Sequence, residues 1–361
     1  MRPKPAAALQ EISVALATFN GERFLSAQLE SLARQDVPPA ELVACDDCSS
    51  DSSVAILEEF AGSAPFPVRI FRNESNLGFT ANFMGAAERC TSPLIAFCDQ
   101  DDIWEPNKIS TCARFFADHP GLRLLVHAAA PVDEDLRHRG KAYPDIRETR
   151  VLRAPDANAW QMTPGFAMVC DRSLLEVADW RERPPSRDLN GSQMDFDEWL
   201  YFVAWATGDV GFVADRLVMY RQHDSNYCGA PDRGIRVRLH KLLNEDFATH
   251  VGRREVARAY AEFLEEDSSV PGLHVPDVIG QISAGARYWR AYEAACAERD
   301  AFYEASRWSD RVRRFAALVE RGAYRGPRRA GFGYLGLARD VRELVLPRRE
   351  LRPVADGATR P

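Results

Sequence analysis

No stretch of the 361-residue chain approaches the roughly 18 consecutive apolar residues of a membrane span. The opening MRPKPAAALQ also lacks the apolar segment of a secretion signal, so a cytoplasmic protein is expected. Basic charge is not in excess: 46 Lys and Arg stand against 53 Asp and Glu, a formal net charge of −7, which gives no electrostatic reason to expect nucleic acid as a partner. Neither GxGxxG nor GxxxxGK[ST] follows any strand-like run, which counts against a dinucleotide fold or a P-loop. Of eight cysteines only Cys45 and Cys48 stand at CxxC spacing, without a second pair, and that stretch reads as a strand end followed by a turn. Internal repeats are absent. Hydrophobic and charged fractions of 46% and 27% are those of ordinary globular chains, and the length suits one large domain with an appendage or two domains.

What is there, from residue 12 onward, is alternation. ISVALAT (12–18) is a continuous apolar run of the kind expected for a strand covered on both faces, and ERFLSAQLESLARQ after it puts Phe24, Leu25, Gln28, Leu29 and Leu32 on one helical face. ELVACDD (41–47) and VAILEEF repeat the pair, with SSDSS between them supplying N-cap residues. PVRIFRN, a helix through ANFMGAAERC, and LIAFCD continue the rhythm. Such alternation predicts a parallel sheet with right-handed crossovers, whose ligand lies outside the carboxyl ends of the strands. Those ends are polar: Thr18 and Asn20, Asp46 and Asp47, Arg72 and Asn73, then Asp99 to Asp102.

The last of these is the most informative. LIAFCDQDDIWEPNKI (94–109) ends an apolar strand in three carboxylates, Asp99, Asp101 and Asp102. Two unit charges about 4 Å apart repel by about 4 kcal/mol at an effective dielectric of about 20. A divalent cation would offset that repulsion; a solvated acidic turn would dissipate it.

Further along, RLLVHAAAPVD (123–133) reads as a strand, TPGFAMVCDRSLLE as turn, strand and helix start, and SQMDFDEWLYFVAWATG as a helix opening with Asp195, Asp197 and Glu198. DVGFVADRLVMYRQHDSN reads as strand, turn and strand. Beyond residue 231 the texture turns to long Arg-, Ala- and Leu-rich helical segments with a break near SSVPGLHVP, and LRPVADGATRP reads as a disordered tail. The predicted division is a tail over 1–10, a catalytic domain over 11–230, a helical extension over 231–350 and a tail over 351–361.

Taken in order, VALATFNGERFLSAQLESLARQ, DDCSSDSS, NLGFTANF, FCDQDDIWEPNKI, DFDEWLYFVAWATGDV and LVMYRQHDSN resemble the inverting family-two glycosyltransferases, strongly over about residues 11 to 230, and within them the rhamnosyltransferase-like branch. The resemblance implies an α/β GT-A fold, a Rossmann-like mixed sheet, with a C-terminal helical extension. It implies a donor pocket from Thr18, Phe19, Asn20, Asp46, Asp47, Arg72, Asn76, Gly78, Asp99 and Arg221, and Mg²⁺ or Mn²⁺ held by Asp99, Asp101 and His223 of the DxD and YRQH segments. Asp197 would be the catalytic base, with Asp195 or Glu198 near enough to share the assignment, and Trp104, Glu198 and Trp199 would face the acceptor. Three positions depart from the family's usual residues: Phe19 stands for Tyr, Cys48 for Gly and Phe196 for His.

The activity so implied is metal-dependent transfer of a sugar, rhamnose by the branch, from a dTDP- or UDP-linked donor to a hydroxyl of a surface-polysaccharide or lipid-linked glycan. Without a QxxRW-like segment, addition of one or a few sugars is expected rather than polymerisation. Arginines 311, 313, 314, 325, 328 and 329 suit either a solvated helix face or peripheral contact with an anionic inner membrane surface. Two rivals stand beside this reading. A nucleotidyltransferase acting on a sugar phosphate also pairs acids around metal, and a non-catalytic nucleotide-sugar scaffold would need the pocket without the base.

Overall fold

Three strands buried along almost their whole length form the centre of the sheet: β1 (Ile12–Thr18), β2 (Glu41–Asp46) and β4 (Leu94–Cys98). They are parallel, with β1 in the middle, so that Ala15 lies between Val43 and Phe97. Their unbroken apolar sequences follow from that double burial. In this computed structural model residues 9–153, 156–161, 163–188, 191–224, 226, 247–266, 276–326 and 330–345 are described. The expected boundary at 230/231, the tails 1–8 and 351–361, most of the SSVPGLHVP break, Arg328 and Arg329 lie outside those residues.

Helices α1 (Leu25–Ala33), α2 (Ser53–Ala61) and α3 (Phe79–Arg89) are the crossovers between these strands, with β3 (Val68–Arg72) at one edge. Past β4 the sheet becomes mixed. The short β5 (Ile103–Trp104), α4 (Lys108–Asp118), β6 (Leu122–Val132), β7 (Arg150–Arg153), β8 (Met168–Asp171) and β9 (Asp209–Arg221) complete a nine-stranded mixed sheet in the order β3-β2-β1-β4-β8-β6-β9-β5, with β7 also on β9. β8 is antiparallel to both β4 and β6.

Strict alternation holds only through β4: from β6 through β7 to β8 no α-helix intervenes, and β8 and β5 pair antiparallel with their neighbours. The predicted strand–turn–strand over 209–226 is corrected as well: β9 is one long strand that keeps pairing with β6 across a register shift near Ala214 to Arg216, where Asp215 and Arg216 turn to solvent. The polar ADR triplet that looked like a turn is this irregularity.

Helix α5 (Phe196–Thr207) is buried at every position except Asp197. Such a helix needs cover on all sides, and α6 (Phe247–Glu266) and α7 (Pro276–Glu304) supply it. Trp199 meets Phe263 edge-on at 5.4 Å, and Trp205 meets Tyr288 and Trp289. The hydrophobic core therefore runs without interruption from the sheet into the C-terminal helices. Helices α8 (Trp308–Glu320) and α9 (Gly333–Val345) close the chain over a smaller cluster around Phe302 and Leu318. Among the described residues no helix is long and apolar enough to cross a membrane.

Candidate active site

The polar strand ends do converge. A cleft of about 460 Å³ opens at the carboxyl ends of β1, β2 and β4, lined among others by Thr18, Phe19, Asp47, Asn76, Gly78, Asp99, Asp101, Asp195 and Asp197. Its place outside the ends of parallel strands is where α/β sheets hold ligands, and its size suits a small molecule.

One wall is a hydrogen-bonded cradle. The Asp47 carboxylate accepts from the backbone N–H groups of Leu77 (2.8 Å) and Gly78 (2.9 Å) and from the Asn73 amide (2.8 Å), so it fixes the 76–78 loop at the cleft. Asp46, fully buried, accepts from Thr18 Oγ1 (3.0 Å) and from the Ser49 N–H (2.9 Å) and closes the turn after β2. In that turn Cys48 has φ of +67°, a left-handed conformation that glycine adopts without steric cost and that explains why its position favours Gly. Asn20 likewise turns inward on the chain, its Oδ1 accepting from the Ser50 N–H at 2.9 Å.

Gln100, between the two acids of the DxD, pairs its amide with both backbone groups of Phe19: Phe19 N–H donates to Oε1 (2.9 Å) and Nε2 donates to the Phe19 carbonyl (3.1 Å). Phe19 is about half exposed at the mouth. Gly21 gives Gln100 its room, since a Cβ there would lie 2.3 Å from Oε1. Sequence reasoning passed over Gln100, whose only signal is its place inside the motif.

Asp99, Asp101 and Asp102 each present an oxygen within 4.8 Å of the others'. Asp101 Oδ2 meets His223 Nε2 at 2.8 Å, and Asp102 Oδ1 accepts the Arg221 N–H at 2.9 Å. Asp99 Oδ1 and Asp102 Oδ2 are buried with no hydrogen-bond partner among the described residues. Burial first, then the neighbouring carboxylates, raises the pKa values of Asp99 and Asp102 above the usual range, Asp101 adding to both and Asp197 to Asp99. Unpartnered buried oxygens are costly, and hard oxygen donors crowded in this way fit Mg²⁺ or Mn²⁺.

Behind the acids Lys108 is fully buried, its Nζ donating to the Phe166 carbonyl (2.8 Å) and lying 3.5 Å from the centre of the Trp104 ring. Burial lowers its pKa to about 8.

Asp197 enters the cleft from the first turn of α5. The helix is pinned by Phe196, which stacks on Phe83 at 4.3 Å, contacts Phe79 and Phe97, and lies over Gly165, where a Cβ would come 2.2 Å from its ring. The Phe196 N–H donates to Thr80 Oγ1, and Thr80 Oγ1 donates to Asp195 Oδ1, both at 3.2 Å. Burial raises the Asp197 pKa to about 7 against the hydrogen bond from the Glu198 N–H to Oδ1 (2.7 Å), and the Asp195 charge adds to the rise. Glu198 points the other way, into a buried knot: it accepts from Ser186 Oγ (2.9 Å), from Tyr260 Oη of α6 (3.0 Å) and from the Arg187 N–H (3.1 Å), and pairs with the Arg187 Nε at 2.8 Å.

The expected site residues thus divide. Thr18, Phe19, Asp47, Asn76, Gly78, Asp99, Asp101 and Asp197 line the cleft. Asp46, Asn20, Arg221 and His223 brace its loops; Arg221 donates to the carbonyls of Asp101 (2.7 Å) and Glu134 (2.6 Å) and lies over Phe24. Arg72 holds the Ser49 carbonyl at 2.9 Å. Trp104 and Trp199 are in the core, 2% and 1% exposed, where their size serves packing, and Glu198 is buried beneath the cleft.

Comparison with known proteins gives this geometry a context. Residues 13–177 match the glycosyl transferase family 2. The dTDP-rhamnosyl transferase RfbG of Shigella flexneri is 24% identical over 288 residues, 76% of this chain and 93% of its own. An uncharacterized protein of Mycobacterium tuberculosis is 22% identical over 216 residues, 59% of each chain, so this chain spans about three fifths of that relative's length. Among solved structures, S. aureus TarS 1–349 in complex with UDP superposes with a TM-score of 0.50 at 17% identity, over 80% of this chain and 91% of that one. The likeness in structure carries the fold. Residues 13–177 therefore carry the likeness to glycosyl transferase family 2; Asp47, Asp99 and Asp101 of the cleft lie within them, and Asp195 and Asp197 lie beyond.

Proposed function

We propose that this chain is a metal-dependent, inverting, non-processive glycosyltransferase that moves a sugar from a nucleoside-diphosphate donor to a hydroxyl of a glycan acceptor. The observation that carries the reading is the meeting, in one cleft, of paired acids that could hold a cation and a separate carboxylate, Asp197, on the first turn of α5. Asp99 and Asp101 would hold the divalent ion, and when bound that ion neutralises charge on the departing diphosphate. Phe19, about half exposed at the mouth, offers an aromatic face to a nucleobase, and the loop fixed by Asp47 borders the same pocket.

Asp197 does the proton work. Its Oδ2 accepts the acceptor's hydroxyl proton as that oxygen forms a bond to the anomeric carbon; the bond from that carbon to the diphosphate oxygen breaks, and the nucleoside diphosphate leaves. A single displacement of this kind inverts the anomeric centre. A pKa near 7 suits the task, since a general base works best when poised near the ambient pH. Rhamnose on dTDP is the donor favoured by the likeness to RfbG, and UDP the alternative favoured by the likeness to the UDP-bound TarS.

The test is product analysis with a panel of nucleotide sugars, Mn²⁺ or Mg²⁺ against EDTA. Release of nucleoside diphosphate that needs the metal is the expected result. Release of pyrophosphate from a nucleoside triphosphate and a sugar phosphate would mark a nucleotidyltransferase, and tight nucleotide-sugar binding with no turnover would mark a scaffold.

A further inference from the structure

Helix α9 wears its amphipathic pattern inside out. Its charged pair, Arg339 and Asp340, is buried, and Asp340 is met by Arg299 Nε at 2.7 Å, Tyr303 Oη at 2.7 Å and Tyr324 Oη at 2.6 Å. Its outer face carries Tyr334 (88% exposed), Leu335 (59%), Val341 (41%) and Val345 (72%), with exposed Ala338 between them. Residues 334, 338, 341 and 345 follow one helical ridge of about 16 Å. Trp308, 66% exposed, extends the ridge, because its indole N–H reaches the Leu344 carbonyl at 3.4 Å. A run of large apolar side chains along one exposed face is a contact surface waiting for a partner.

Charge identifies the partner. Residues 307–361 hold fourteen Arg, no Lys and six acids, a formal charge of +8 in a chain whose total is −7, so the preceding 306 residues carry −15. Arg313 and Arg314 stand exposed on α8, five and six residues after Trp308, Arg313 in a surface ion pair with Asp310 at 3.0 Å. We infer that the outer face of α9, with Trp308 and the arginines of α8, docks on an anionic lipid bilayer. Trp and Tyr favour the headgroup level, aliphatic residues enter beneath it, and Arg pairs with lipid phosphate while its stem lies along the apolar boundary. A symmetric contact with a second copy would instead set two +8 segments against each other. The inference is independent of the sugar-transfer reading, since it uses no residue of the cleft.

The experiment is sedimentation of the full chain with phosphatidylcholine vesicles, with and without phosphatidylglycerol, at two salt concentrations, with no nucleotide present. The expected result is partition onto the phosphatidylglycerol vesicles alone, weakened by salt. The double variant Arg313→Gln/Arg314→Gln should lose about fivefold in partition per arginine, equivalent to about 1 kcal/mol each. The triple variant Tyr334→Ser/Leu335→Ser/Val345→Ser should abolish partition, while its melting temperature and nucleotide-stimulated stabilisation stay those of the parent because these side chains are exposed. Equal partition onto neutral vesicles, no partition at all, or partition indifferent to both variants would overturn the inference. So would a doubling of the solution mass that the triple variant reverses, which would assign the face to a second copy.

Discussion

Replacing Asp197 with Asn should remove activity and add stability in the same stroke, by an amount that depends on pH. Asn keeps the shape and can still accept the Glu198 N–H through Oδ1, but it can neither take a proton nor carry the charge that burial opposes. Loss of a general base costs about 10²- to 10⁴-fold in turnover. The stability term follows from linkage. The folded-state pKa of Asp197 is raised from 3.8 to about 7, so the native carboxyl holds its proton where the unfolded one has released it. The penalty on the parent is therefore absent near pH 4, accrues as pH rises, and is complete above pH 7. At about 1.4 kcal/mol per pKa unit the upper bound is about 4 kcal/mol. Urea melts of both proteins at steps from pH 4 to 8 would read the gap, and initial rates would read the activity. A variant that turns over within threefold of the parent would refute the base; a stability gap that does not widen with pH would refute the burial argument.

Other perturbations follow from the same geometry. Gly165→Ala puts a methyl 2.2 Å from the Phe196 ring, so α5 must shift; a loss of about 1 to 3 kcal/mol in a chemical melt is expected, with a larger fall in kcat than in donor affinity. Gln100→Ala removes the two hydrogen bonds that hold the Phe19 backbone, and donor dissociation constants measured by titration calorimetry should rise by up to about tenfold, as two ordinary hydrogen bonds allow. Tyr260→Phe cuts the link from α6 to Glu198 and leaves Arg187 and Ser186 in place, so stability should fall by about 1 kcal/mol and KM for the donor should hold.

β1, β2 and β4 were legible because each is a largely apolar run of five to seven residues closed by polar or turn residues, and burial on both faces leaves little else such a run can be; β3, VRIFR, is a half-buried edge strand recognised by its place in the alternation. The second half was harder. β5 has two residues and β7 four, too short for a period to show, whereas α4 shows a helical face of Ile109, Cys112, Ala113 and Phe116 that the sequence reading passed over. For the site, the strand-end rule located Asp99 and Asp101, since the ends of parallel strands meet on one edge, and the motif order added Asp197, which reaches the same cleft from α5. It could not tell lining from bracing. Asp46 and Asp47 are adjacent and chemically alike, yet successive residues at a strand end point to opposite sides, so only Asp47 reaches the cleft. Neighbours also part in the first turn of α5, where Asp197 faces the cleft and Glu198 the knot around Arg187.

The central claim is that the Asp99–Asp101 cleft binds a nucleoside diphosphate through a divalent cation. Its most direct test is thermal melting of the parent and of Asp101→Asn with UDP, dTDP, GDP or CDP, each with Mn²⁺, Mg²⁺ or EDTA. A ligand at about a hundred times its dissociation constant adds about 2.7 kcal/mol to the native state, enough to move the melt visibly. The account predicts that one diphosphate raises the melting temperature of the parent only with metal, and that the rise is lost in the variant. A rise that survives EDTA, or one that the variant keeps, would contradict it.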